Sequence, residues 1–159
     1  MNNKVKFITE SAIIAALYVL LTFISSIFGL SSGIIQLRLS EALVALLCFT
    51  SAAIPGLTIG CLISNLLTGC VIWDIVFGTV ATLIGAVFGR LLHRHAWAVP
   101  IPNVISNAAI IPFVLIYAYG AGDAYYFILA TVTAGEIISS VVFGYLLIFI
   151  LKKHRGIFR

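Results

Sequence analysis

Long apolar runs, several of them the length of a membrane-crossing helix, alternate along the chain with short polar or turn-forming clusters. The first run extends from Ile8 to Phe28, and a loop from Leu30 to Leu39 containing Arg38 follows it. Ser40 to Ala53 and Leu57 to Thr68 come next. Between them Pro55-Gly56 predicts a tight turn, because proline fixes φ and lacks an N–H while glycine accepts positive φ. A span needs about 20 mostly apolar residues, so Leu57 to Thr68 is short for one and predicts little tilt or a start in the interface. Asp74 to Leu92, Val99 to Tyr119 and Ala124 to Leu151 complete the set. The pattern predicts an all-α membrane protein of about six transmembrane helices, one domain over residues 1–159, with little mass outside the bilayer.

Composition sharpens this. Of 159 residues 62% are apolar and 9% charged, against about half and about a quarter in ordinary soluble domains, so a water-soluble fold is excluded. The run from Ile8 to Phe28, with Lys4 and Lys6 before it, exceeds the usual signal-peptide core of about 7–15 residues. Gly29-Leu30-Ser31 is a poor cleavage site, so the run reads as a retained first helix. Lys- and Arg-rich short loops stay in the cytoplasm. With the N-terminus inside, Lys4, Lys6, Arg90, Arg94, Lys152, Lys153, Arg155 and Arg159 fall on the cytoplasmic side and only Arg38 falls outside. That asymmetry predicts an even number of spans and cytoplasmic termini. It also explains the net charge of +4 through topology and membrane lipid rather than nucleic acid. Cys48, Cys61 and Cys70 lack the spacing of a disulfide framework or zinc site and read as small packing residues.

Charge inside a span costs about 2.5 to 3.5 kcal/mol on insertion scales, which makes it a functional candidate. Glu136 lies about 12 residues into the last predicted helix, roughly 18 Å along it and so near mid-membrane. It reads as a ligand- or proton-binding carboxylate, or as one hydrogen-bonded to a neighbouring Ser or Asn. Asn103 and Asn107, four apart, share a helix face, and their amides suit either the edge of a heterocycle or the joining of helices. Trp73 and Asp74 open a helix on the outer side. There they serve as belt residue and dipole partner, or together stack and orient a flat ligand. Arg38 and Glu41, three apart, are expected to pair with each other, as a gate, a structural contact or part of a binding site. Asn65 is a further polar residue able to face the outer cavity, and Asp123 is expected to N-cap the last helix. Small residues four apart at Ala12/Ala16, Gly56/Gly60, Gly85/Gly89 and Ser140/Gly144 mark close helix approaches.

The sequence carries no GxxxxGK[ST] loop, no HExxH and no Gly-x-Ser-x-Gly elbow. His93 and His95 sit among arginines away from the outer polar set. No catalytic residue, cofactor or metal is expected, and ATP-driven transport would need another subunit.

Specific segments go further. Ile35-Gln36-Leu37-Arg38-Leu39-Ser40-Glu41-Ala42-Leu43, then Ile54-Pro55-Gly56-Leu57-Thr58-Ile59-Gly60-Cys61 with Asn65, resemble the QueT family. So do Trp73-Asp74-Ile75-Val76-Phe77-Gly78-Thr79 with Ala81-Thr82-Leu83, Pro100-Ile101-Pro102-Asn103 through Asn107 with Ile111-Pro112, and Gly135-Glu136 with Gly144. The family comprises substrate-binding S-components of energy-coupling factor (ECF) transporters linked to queuosine precursors. The resemblance implies a multi-pass protein of the bacterial cell membrane whose six helices hold a ligand in an outward-facing cavity. A transmembrane coupling subunit and two cytosolic ATPases are the implied partners, and Ala12 and Ala16 match the AxxxA pattern that contacts the coupling subunit. The implied ligands are 7-deazaguanines such as queuine or its aminomethyl or cyano precursors. A guanine-like edge suits a carboxylate from Glu136 or Asp74 and an amide from Asn107 or Asn65, with Trp73 as stacking platform. A self-sufficient secondary transporter with Glu136 as proton carrier, a membrane enzyme and a purely structural subunit are the competing readings.

Overall fold

The computed structural model describes residues 2–30 and 37–153 and is helical throughout, without strands among them. The order is α1 (Asn3–Ile27), a 3₁₀ helix (Leu39–Cys48), α2 (Ala53–Leu67), α3 (Ile72–Leu91), α4 (Ile101–Tyr119), α5 (Tyr125–Glu136), a π-helical turn (Ile137–Val142) and α6 (Phe143–Lys153). The last three join into one continuous apolar helix of 29 residues. Among the described residues it and three others, α1, α3 and α4, are long and apolar enough to cross a membrane. The 3₁₀ helix and α2 are apolar but shorter. The six runs of the sequence are therefore six helical segments, four of them full-length.

The boundaries follow local chemistry. The Asn2 side chain accepts from the Lys4 N–H at 3.3 Å and caps α1. At the far end Gly29 takes φ 67°, while the amides of Gly29 and Leu30 return to the carbonyls of Ser26 and Ser25. Gly69 closes α2 in the same way, with Cys70 bonding back to Asn65. Left-handed backbone lets the last carbonyls of each helix find donors, and glycine adopts it without a Cβ clash. Two expectations fail here. Pro55 does not make a turn but sits in the first turn of α2, where a missing N–H costs no intrahelical bond. Asp123 does not cap the last helix, whose N-cap is Ala124 without a side-chain bond.

Ten residues of 3₁₀ helix is a long run for that geometry. At about 2.0 Å per residue it reaches roughly 20 Å, where an α-helix of equal length would reach about 15 Å. The segment lies in the middle of the bundle, with Ser40, Glu41 and Leu43 to Leu47 all buried. The Arg90 guanidinium donates to its Leu47 carbonyl at 2.7 Å. Around it Tyr18, Leu57, Cys61, Ala86 and Val99 complete the main core.

Three of the four small-residue pairs lie inside. A Cβ on Gly60 would stand 2.6 Å from Tyr18 Cβ and one on Gly56 2.8 Å from Ile14 Cβ, so α1 and α2 touch nearly backbone to side-chain root. Gly85 and Gly89 bring α3 equally close to Asn103 and Val99, and Ser140 is buried near Gly144. Ala12 and Ala16 instead face outward. They line an open apolar groove of about 800 Å³ with Phe7, Phe23, Pro55 and Ile59.

Gly60→Ala should destabilise the protein by about 1 to 3 kcal/mol through overpacking against Tyr18. Gly122→Ala, which adds a methyl to open space, should change little. Thermal unfolding midpoints of both variants in the same detergent check this, and equal midpoints would show that α1 and α2 can move apart freely.

Candidate functional site

Polar side chains from every segment converge in the bundle interior. Tyr18 reaches it from α1 because Ser11, Ile14, Ala15, Tyr18, Thr22 and Ser25 form that helix's buried stripe at three- and four-residue spacing. Its hydroxyl donates to Glu41 Oε1 in a short bond. Glu41, 2% exposed, lies in the first turn of the 3₁₀ helix. Just above, Thr22 Oγ1 donates to Ser40 Oγ at 2.9 Å, and Ser25 Oγ accepts from the Leu39 amide at 2.9 Å. These bonds fix the 3₁₀ helix against α1.

Asn103, fully buried near the start of α4, is the hub. Its amide nitrogen lies 2.9 Å from Glu41 Oε2, 3.2 Å from Glu136 Oε2 and 3.0 Å from Ser140 Oγ. Ser140 in turn donates to Glu136 Oε2 at 3.2 Å. Glu136 closes α5 where the π-helical turn begins. Such turns are frequent at functional sites because they redirect a helix face by one residue. Gly85 makes room for the hub, since a Cβ there would stand 2.6 Å from Asn103 Oδ1.

A second polar group lies nearer the end where α1, α2 and α4 finish. Asp74, in the first turn of α3 and buried, accepts from the Tyr119 hydroxyl at 3.0 Å and meets the Arg38 guanidinium at 3.9 Å. Asn65 donates to the Asp74 carbonyl at 3.4 Å and packs over Gly78. The charge of Arg38 also acts on Glu41 and on Glu136, which links the two groups. Three carboxylates, Glu41, Asp74 and Glu136, thus share one guanidinium. The remaining described cations lie elsewhere: Arg90 on the Leu47 carbonyl, Lys6 beside Glu10, Arg94 in the turn after α3, and Lys4, Lys152 and Lys153 at helix ends.

The site residues expected from the sequence are thereby sorted. Arg38, Glu41, Asn65, Asp74, Asn103 and Glu136 come together, although Arg38 makes its ion pair with Asp74 rather than with Glu41 three residues on. Asn107 is buried beside them but spends its amide N–H on the Asn103 carbonyl at 3.0 Å. Trp73 turns away from Asp74. It is 57% exposed and stacks on Phe77, along an apolar groove of about 350 Å³ shared with Phe113 and Tyr117. The sequence reading missed Tyr18, Tyr119 and Ser140. A phenol in the middle of an apolar run was the available signal for Tyr18. Ala12 and Ala16 lie on the opposite, outer side of α1.

A model of the QueT transporter family matches residues 8–153. The "Queuosine precursor transporter QueT" of Lactococcus lactis subsp. cremoris (strain MG1363) is 40% identical over 91 residues, which make up 57% of this chain and 53% of that protein. The match therefore spans about half the length of that relative. No solved structure matches the chain at a significant level. Because the family match runs from within α1 to the end of α6, the chain belongs to the QueT transporter family.

Proposed function

We propose that this chain is the substrate-binding membrane subunit of an ECF importer and that it binds a queuosine precursor, a 7-deazaguanine, at the Glu41–Asn103–Glu136 cluster. One observation carries the reading: three inward carboxylates stand against one guanidinium in an apolar bundle. Such a site is short of hydrogen-bond donors and positive charge. The guanine-like edge of a 7-deazaguanine supplies an N1–H and an exocyclic amine, two donors that a carboxylate accepts side by side. An aminomethyl substituent adds a cation. Asn65 and Asn107, which already donate to the Asp74 and Asn103 carbonyls, would serve the ligand through their side-chain oxygens, and Arg38 limits the charge imbalance. Tyr18 is the aromatic group at the cluster itself and Tyr119 lies in the neighbouring Asp74 group, so Trp73, turned out onto Phe77, is a weaker stacking platform.

In this reading six helical segments cross the bilayer with both termini cytoplasmic. Lys4, Lys6, Arg90, Arg94, Lys152 and Lys153 gather at one end of the bundle and Arg38 at the other, as the distribution of cations across a bacterial membrane requires. The transmembrane coupling subunit seats on the Ala12/Ala16 groove, and two cytosolic ATPases provide the energy. The excess of carboxylates also favours a second reading, a secondary transporter driven by protons. Uptake by vesicles containing this chain alone would decide for it.

Glu136→Gln should keep the fold and weaken binding of 7-aminomethyl-7-deazaguanine by about 1.5 to 3 kcal/mol, the range for a hydrogen bond to a charged group. Calorimetric titration returning wild-type affinity would leave Glu136 a structural residue. Replacing Ala12 and Ala16 together with Trp should abolish assembly with the coupling subunit and ATP-driven uptake while ligand binding survives. Normal uptake by that double variant would remove the outer face of α1 from the coupling contact.

A further inference from the structure

Resting on the reading above, we propose that the empty site holds one proton shared between Glu41 and Glu136, and that the ligand displaces it on binding. The two carboxylates come from segments far apart in sequence yet both lie within 3.2 Å of one nitrogen, Asn103 Nδ2. Two carboxylates sharing a site do not both ionise easily, because each raises the cost of charge on the other. Here the usual relief is weakened. Glu41 is buried, and the nearby cation, Arg38, makes its ion pair with Asp74 and reaches Glu41 and Glu136 only at longer range.

The surroundings from each packed segment agree. From α1 the Tyr18 hydroxyl already donates to Glu41 Oε1. From α2 the Cys61 thiol lies in the field of Glu41 and adds no positive charge. Asp74 of α3, with Tyr119 of α4 on its other side, holds the guanidinium. Asn103 is the donor that the two carboxylates share, and its own Oδ1 is buried without a partner. With the amide turned over, that oxygen would face both carboxylates and the Ser140 hydroxyl, which gives it two donors to choose from, Ser140 and a protonated carboxyl.

Binding then proceeds as an exchange. The carboxyl O–H breaks, its proton leaves to solvent, and the ligand's N–H groups or its ammonium donate to the two carboxylate oxygens now exposed. No redox partner or further reactant is needed. Shared between two carboxylates at one amide, the proton belongs to both rather than to either. The sign follows: below the apparent pKa of the pair each ligand bound releases a proton, so affinity rises with pH and levels off above it.

The test is calorimetric titration of the purified protein with 7-aminomethyl-7-deazaguanine across roughly pH 5 to 8, in buffers of different ionisation enthalpy. Wild type should release close to one proton per ligand in the acidic part of the range, with affinity rising about tenfold per pH unit there. Glu41→Gln should bind without releasing a proton and with affinity flat in pH. Wild-type binding with no proton release and no pH dependence overturns the proposal and leaves the ligand assignment standing. Absence of any binding by wild type removes the ligand assignment instead. Infrared spectra of the unliganded protein then decide the proton: a protonated-carboxyl band present in wild type and lost in Glu41→Gln supports the shared proton, and its absence from wild type overturns it.

Discussion

Carboxylates inside an apolar bundle have to be surrounded by donors, and in this protein that requirement sets the spacing of the helices. Glu41 and Glu136 reach the interior from segments almost a hundred residues apart, and Asn103 bonds to both. One amide can serve two carboxylates only if α4 lies hard against α3 while the last helix and the 3₁₀ helix close in from the other sides. Gly85 and Gly89 permit the first approach and Ser140 with Gly144 the second. A methyl group on α3 at Gly85 would occupy the space of Asn103 itself. Close packing in a membrane arises from van der Waals contact and interhelical hydrogen bonds rather than from hydrophobic driving force, so small residues and polar groups are needed together.

The 3₁₀ helix belongs to the same solution. Glu41 must stand opposite Asn103 while Arg38, three residues earlier, extends to Asp74 on α3. In a helix, α or 3₁₀, side chains three apart share one face and would pair with each other, but Arg38 stands just outside the helix. The extended backbone at Arg38, with φ −107° and ψ 103°, sends its side chain away instead. The guanidinium therefore compensates Asp74 most directly and the Glu41–Glu136 pair at longer range.

Helix type and approximate extent were legible because apolar runs bounded by polar clusters are the dominant signal in a membrane chain. What failed was local. Pro55-Gly56 looks like a turn by residue type, but proline in a first helical turn and glycine at a helix crossing produce the same dipeptide. The inward carboxylates and amides stood out because charge within an apolar run has few explanations. Their pairing was hidden, since which side chains meet depends on how segments far apart pack. Hence Arg38 found Asp74 and not Glu41, and Asn103 rather than its neighbour Asn107 became the hub. Trp73 shows the limit from the other side: adjacent to Asp74 in sequence, it is turned by about 100° around the helix and faces outward.

Helix α1 ties the interior to the outer surface. One stripe carries Tyr18, bonded to Glu41, and the opposite stripe carries Ala12 and Ala16 in their groove. The inner stripe is fixed at Gly56 and Gly60, where α2 leaves no clearance for α1 to rotate or slide independently. Any helix seated in the Ala12/Ala16 groove would also rest on Pro55 and Ile59 of α2. It would therefore bear on two helices that move together. A shift of that pair relative to α3 and α4 would act on the Tyr18–Glu41 and Asn103–Glu41 bonds across the polar cluster, together with the direct α2–α3 bonds from Asn65 to the Asp74 carbonyl and from Thr82 to Cys61. The same bonds that hold Glu41 thus connect the outer face of α1, through Tyr18, to the candidate binding site.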